Sequence, residues 1–450
     1  MKKTTLFLLT VSAVSNAFAG GLLTNTNQNA AFTRNFAQEG KIDITSIYAN
    51  PAGGAFLSNG WHLSLNNQSA FQERNIETTF PLFVRNVDEP TPTHNFNGKA
   101  SAPTVPSITA SFNKDKWSVS AHFAFSGGGG KCEFDEGLGS FEAAYAGIME
   151  QMVPTMVAPA KYVGYSLNSF MKGKNYHFGL QLGATYKFTD NVSGYFGIRG
   201  IYATSNYNGA VEPTAVLNAG ENTISQPLNN YGIALNCDQT GFGAAIILGA
   251  DWKINDQWNV SAKYEGPTRL NLKNKSKISA SPEVMEAAGS VLGQFEDGKH
   301  VREDIPALLA LGVQYSPIEK VRIDASYHQF FDKVSTKYLD KQDYISHNTH
   351  EFILGAEYDI CKLITISGSW ETTRYGMDDE YMNDLSFNLT NNMIGAGVRI
   401  HATERFSIDL GYMYTFYNSR KVTTHYGPIE KTDVYDRKNQ TFGIGVNLDL

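Results

Sequence analysis

The chain lacks the uninterrupted run of about 20 apolar residues that a membrane-spanning helix needs. Charge is also sparse. Only 18% of its 450 residues are Asp, Glu, Lys or Arg, and the formal charge is -7. No basic cluster occurs, which argues against nucleic acid as a partner. Cysteine is nearly absent, with three in all. Cys132 and Cys237 fall in predicted surface loops and are candidates to pair, whereas Cys361 falls in a predicted tight turn; the alternative is three unpaired thiols. Catalytic spacing is missing too. His62, His122, His177 and His328 are scattered singly, without a recurring Ser–His or Asp–His interval. The chain is therefore expected not to be an enzyme, and no cofactor or metal is expected.

What is present is alternation. In Tyr176 to Phe188 the residues Tyr176, Phe178, Leu180, Leu182, Ala184, Tyr186 and Phe188 share one face, against His177, Gly179, Gln181, Gly183, Thr185 and Lys187. Phe406, Ile408, Leu410, Tyr412, Tyr414 and Phe416 repeat the pattern, as do Phe442, Ile444, Val446, Leu448 and Leu450. A period of two marks strands with a different solvent on each face. The segments reach the 9–11 residues of a tilted membrane strand. A mean hydropathy of -0.28 agrees, because only alternate residues of such a strand meet lipid. The 27 Phe, 23 Tyr and 41 Gly suit a barrel wall with aromatic girdles.

Connections alternate in length. Short ones carry Asn, Asp and Pro, as at Asn113-Lys114-Asp115-Lys116, Thr189-Asp190-Asn191 and Asn255-Asp256-Gln257. Long ones run roughly over 74–103, 126–175, 208–240, 270–302, 332–349, 374–389 and 418–436. The expected fold is all-β: an antiparallel transmembrane β-barrel of about fourteen strands, with short turns inside the cell envelope and long loops outside. Lys2, Lys3, the apolar Leu6–Val14 and Ala17-Phe18-Ala19 read as a secretory signal over residues 1–19. Residues 20–57 lack alternation and read as a plug, and 58–450 as the barrel. Two long loops carry helical spacing. Phe141, Tyr145, Ile148, Met149 and Met152 share one face after Ser140. Val284, Met285, Leu292 and Phe295 share another after Ser281-Pro282-Glu283. These faces either cap the barrel as a lid or form a groove for an apolar ligand; methionine suits the latter use.

Asn50-Pro51-Ala52 ends the plug just before the first strand. In that position, with the strand count and the loop helices, the mature chain resembles the FadL/TodX family of outer-membrane long-chain fatty acid and hydrocarbon transporters. Two departures stand out: Thr33-Arg34-Asn35-Phe36 replaces the family's small Gly-Arg-Ala stretch, and the chain ends in Leu450 rather than Phe or Trp. The resemblance implies a monomer in the outer membrane of a Gram-negative bacterium, surrounded by lipid and lipopolysaccharide. It implies capture of a hydrophobic ligand between surface loops, movement of the hatch, and diffusion out through a gap at a kink in the third strand. Here that strand is Trp117 to Phe125, followed by Gly127 to Gly130. Those glycines read either as the start of a flexible loop or as the distortion that opens the wall.

A ligand carboxylate would need a cation. By parity Arg199 and Lys263 face the lumen, and Arg34 lies in the hatch. The alternative reading pairs such cations with acids such as Glu265, Asp324 or Asp409. A general porin and an outer-membrane hydrolase are the other functional readings, and exposed loops could also serve an adhesin or phage receptor.

Overall fold

The computed structural model describes residues 27, 29–156, 161–219, 222–287 and 292–450. The expected signal, residues 1–19, lies outside them. Strands follow in the order β1 (Gly60–Thr79), β2 (Thr93–Lys114), β3 (Trp117–Phe134), β4 (Tyr162–Lys187), β5 (Val192–Ala219), β6 (Asn222–Pro227), β7 (Ile233–Lys253), β8 (Trp258–Glu265) and β9 (Asn271–Ser279). Then come β10 (His300–Arg302), β11 (Leu308–Ile318), β12 (Val321–Phe330), β13 (Thr349–Cys361), β14 (Ile364–Arg374), β15 (Asn391–His401), β16 (Phe406–Tyr417), β17 (Arg420–Tyr426) and β18 (Ile429–Asp449). β6, β9, β10 and β17 extend wall strands beyond local breaks, so the wall itself is a closed antiparallel barrel of fourteen strands. β1 closes on β18 in one unbroken register from His62↔Asp449 to Thr79↔Thr432.

Parity sets inside and outside as the alternation predicts. Leu180, Leu182, Phe196, Ile198, Ile246 and Leu248 are exposed on the outer surface, whereas Gln181, Arg199 and Asp251 are buried on the inner one. Aromatic pairs ring the tight-turn end: Trp61 with Phe112, Trp117 with Tyr186, and Trp258 stacked on Tyr315 at 4.2 Å. On β7, Trp252 and Phe242 are both exposed and lie ten residues apart. At about 3.4 Å per residue and a tilt near 45°, that interval is about 24 Å of height, the thickness of a lipid-facing band.

Many strands continue past that band. β4 has 26 residues and β5 has 28, against 8 for β8. The loops are correspondingly shorter than the alternation suggested; the first is Phe80 to Pro92 rather than 74–103. Outside the membrane the apolar face of a strand no longer needs lipid, because loops and neighbouring strands cover it. Ile76, Phe96, Phe134, Met171 and Tyr207 pack there in one buried cluster beneath the loops. Cys132 and Cys237 belong to it and are free thiols, in strands rather than loops. β4 and β5 separate β3 from β7, a path of about 14 Å around the wall, too far for a disulfide.

The loop helix Gly139–Met156 seats on this rim. Glu142 anchors it. Its carboxylate accepts hydrogen bonds from Asn86 Nδ2 at 2.8 Å and Tyr165 OH at 3.2 Å, and it meets His94 Nδ1 at 2.9 Å. Burial disfavours the His94 cation, but the Glu142 carboxylate outweighs it and raises the imidazole above its ordinary 6.5. A raised folded-state value means that the stabilisation is complete below 6.5 and is lost as pH climbs through the folded value. Proteolytic nicking of residues 139–156, normalised to an unfolded substrate, is therefore expected to be faster at pH 9 than at pH 6. In His94→Gln this difference should vanish; an unchanged pH response would remove His94 from the anchor.

Candidate functional site

The N-terminal segment lies inside the bore. Nearly every residue from Asn29 to Ala55 is buried, and its first helix, Ala30–Arg34, packs on β15, β16 and β18. Wall glycines make room for it. A Cβ at Gly411 would strike Thr33, and one at Gly312 would strike Glu39 and Gly40. The segment then crosses the lumen through paired charges. Arg34 bonds Glu357 at 2.8 Å and Asp409 at 2.7 Å, and Lys41 bonds Glu357 at 2.6 Å. Arg399 bridges Asp43 and Asp409. His328 stands between Glu39 of the segment and Glu351 of β13, at 2.8 and 2.9 Å. Single buried charges would be costly; these are matched across the boundary.

Asn50-Pro51-Ala52 is the far staple. Asn50 Oδ1 accepts from the Gly53 N–H at 3.1 Å, and its Nδ2 donates to Lys41 O at 3.1 Å and to Asp251 Oδ2 at 2.5 Å. Pro51 O accepts from Thr185, and Ala52 O from Ser193. An amide side chain is needed here because one group must both accept and donate.

Between these ends stands Tyr48, close to both predicted cations. Arg199 lies 4.5 Å and Lys263 5.0 Å from its ring centre. Arg199 also pairs with Glu265, and Lys263 donates to Tyr48 O at 3.0 Å. The structure thus brings Arg199 and Lys263 together but sets Arg34 apart, among Glu357 and Asp409. The small cavity beside them, about 30 Å³, is lined by Glu39, Tyr48, Arg199, Lys263 and His328. It has room for water but not for an alkyl chain.

The expected loop groove is dispersed. Tyr145 and Met149 pack with Phe80, Phe83 and Tyr165, and Phe141 touches that cluster. Phe295 sits in the other cluster, against Tyr207 at 5.3 Å. Val284 and Leu292 are buried, Ile148 is half-buried, and Met285 is exposed. The second helix is only Pro282–Ala287, and the Met152 side chain lies outside the described residues.

The wall itself is broken. β2 pairs with β3 up to Ala100↔Cys132 and again from Ile108↔Phe123, but residues 101–107 have no partner on β3. The glycines lie within β3, not in a loop. Gly128 (φ 99°) and Gly130 (φ 69°) take left-handed backbone, and the β3–β4 register slips at Gly127 and Gly130. The other lip supplies Pro103 and Pro106, which have no N–H to donate. That proline pair was a sequence signal for the break that the reading of the glycine run left unused. A cavity of about 270 Å³ reaches through the opening, lined by Gln68, Arg74, Ala102, Gly128, Tyr176 and Tyr417 among others.

No family model matches the chain, and no curated protein matches it. Solved structures do. A Pseudomonas aeruginosa FadL homologue aligns at a TM-score of 0.67 over 94% of this chain and 98% of its own, with 16% identity. The chain has the FadL/TodX barrel fold. The Pseudomonas putida toluene transporter TodX aligns at 0.58 over 97% and 100%, with 11% identity. The Ralstonia pickettii toluene transporter TbuX aligns at 0.55 over 90% and 93%, with 13% identity.

The Asn50–Asp251 staple has a measurable strength. A hydrogen bond to a charged group contributes about 1.5–3 kcal/mol. A double-mutant cycle with Asn50→Ala and Asp251→Ala, read by unfolding in detergent, should return a coupling of that order. Additive losses would show that the two side chains do not hold the segment together.

Proposed function

We propose that this protein is a passive outer-membrane channel for hydrophobic small molecules, long-chain fatty acids or hydrocarbons. The single observation that carries this reading is a wall opening beside a bore stoppered by its own N-terminus. An open aqueous pore has no use for either. An apolar solute gains about 0.8 kcal/mol per methylene on leaving water, so a route that delivers it sideways into lipid avoids the aqueous exit altogether. The similarity in fold to a FadL homologue and to a toluene transporter supports the reading. Ligand enters from the loop side, reaches the cavity at the break, and leaves between β2 and β3. The paired hatch charges keep water and ions from following. Shifts of the hatch at Asn50-Pro51-Ala52 admit or release the ligand. In this reading the chain acts as a monomer without a cofactor, in contact with lipid and lipopolysaccharide, and performs no catalysis.

The opening can be closed reversibly. A Cβ built at Gly130 lies 3.9 Å from the Cβ of Ala102, within disulfide geometry. In a Cys132→Ala background, Ala102→Cys with Gly130→Cys should lower uptake of labelled oleate or toluene several-fold when oxidised, and reductant should restore it. Uptake that ignores the cross-link would place the exit elsewhere. Planar-bilayer conductance should be small; a large steady conductance would favour a general porin.

A further inference from the structure

The outer surface of the barrel, just above its lipid-facing band, carries positive charge that its neighbours do not neutralise. We propose that this surface, from β4 across β5 and β7 to β9, is a binding site for the bisphosphorylated head group of lipid A, the anchor of lipopolysaccharide. The site rests on the proposed outer-membrane setting and lies apart from the route of the solute.

β9 alternates strictly. Leu272 and Asn274 are buried, while Lys273, Lys275 and Lys277 are exposed on the outer face. Same-face neighbours on a strand lie about 7 Å apart, so the three ammonium groups repel one another. Each stands opposite an outward residue of β7: Lys273 opposite Thr240, Lys275 opposite Asp238, and Lys277 opposite Asn236. The rows continue to β4, from Asp238 through Asn206 to Lys174 and from Asn236 through Asn208 to Lys172. Lys172 is matched by Glu133 and Asp135, and Lys131 by Glu133. Among the described residues Lys174, Lys273, Lys275 and Lys277 make no ion pair. Two carboxylates in the patch are turned to other donors. Asp238 accepts from Asn206 Nδ2 at 2.8 Å, and Asp297 from the Ser276 N–H at 2.8 Å. The patch therefore stays positive and takes its counter-charge from outside. Lysine serves phosphate well, as a compact point charge on a flexible stem.

Placement selects the ligand. Phe178, Tyr202 and Phe242 form one outward row across β4, β5 and β7, and Phe242 marks the loop-side limit of the lipid band. Lys273 lies two residues beyond that row and Lys277 six. At about 3.4 Å per residue and a tilt near 45°, these are heights of about 5 and 14 Å, where the phosphates of the outer leaflet lie. Lys174 and Lys275 share a row and stand three strand spacings apart, about 14 Å. A single phosphate reaches one column only. A disaccharide with a phosphate at each end reaches both, and its hydroxyls meet Asn206, Asn208 and Asn236 between them. That selects lipid A over a glycerophospholipid. Below the aromatic row the wall holds a groove of about 660 Å³, lined by Leu180, Leu182, Phe196, Ile198, Gly200 and Phe242 among others. Gly200 leaves a gap in the outward column of β5, where a Cβ would lie 3.4 Å from the Phe242 ring. Acyl chains descending from a head group on the lysines run into this groove.

The test uses the full-length protein in a non-ionic detergent, with binding measured by thermophoresis for bisphosphorylated lipid A, monophosphorylated lipid A and dioleoyl phosphatidylglycerol. Bisphosphorylated lipid A should bind several-fold more tightly than either other lipid, and its binding should weaken between about 50 and 300 mM salt. Combined Lys273→Gln, Lys275→Gln and Lys277→Gln should erase the preference, and the three corresponding Arg substitutions should keep it. These side chains are exposed, so heat-modifiable gel mobility should stay unchanged. Lys174→Gln should act in the same direction. Gly200→Leu, which fills the groove, should weaken all three lipids alike. Equal affinity for the three lipids overturns the site, as does a preference that survives the triple Gln variant. So does a triple Gln variant that self-associates while its lipid A affinity is unchanged, because the lysines then guard a strand edge. Recovery of the protein in the outer-membrane fraction without lipid A selectivity defeats the site alone. Failure of oleate and toluene uptake with lipid A selectivity intact defeats the transport reading alone.

Discussion

Charge buried inside a closed cylinder of strands must be neutralised from within, because neither lipid nor bulk water can reach it. That constraint organises the whole lumen. The inner wall presents Asp251, Asp324, Glu357, Arg399 and Asp409, and the N-terminal segment brings Arg34, Lys41, Asp43 and Asn50 to meet them. Each side would be unstable alone. Removing one member of such a buried set costs several kcal/mol, since its partner is stranded. The segment is thus part of the lumen's charge balance as well as an obstruction in it.

The same constraint gives a reason for the proposed route to avoid the centre. A bore filled with mutually satisfied ion pairs offers an alkyl chain nothing. In the proposed reading the hydrophobic path runs at the wall instead, where hydrogen bonds between β2 and β3 are missing and apolar side chains line the lips. Proline on one lip and left-handed glycine on the other make the same local change by different means. One removes donors and the other bends the backbone that would have accepted them.

Much of this was legible in the sequence, and the limits have physical causes. Alternation in β4, β16 and β18 was plain because lipid demands it of every outward residue. The segment ahead of the first strand stood out as a stretch without alternation ended by Asn50-Pro51-Ala52. Strand height was not legible, since above the membrane loops replace lipid as the apolar neighbour, and Cys132 and Cys237 were misplaced into loops for that reason. Parity placed Arg199 and Lys263 in the lumen, but it could not supply Tyr48 beside them, because the path of an irregular segment leaves no periodic trace. Gly127 to Gly130 could be read as the start of a loop or as a distortion of the wall, because a glycine run has no side chains by which to follow a strand. The register of β1 on β18 has no local signal either, since that seam joins the two ends of the chain.

That seam bears on how the molecule is made. The first helix rests on β15, β16 and β18, among the last strands to be synthesised, while the residues that follow it lead directly into β1. The segment's berth is complete only once the final hairpins exist and β1 has paired with β18. The berth of the leading segment is thus built from the last strands made, the same strands that close the seam.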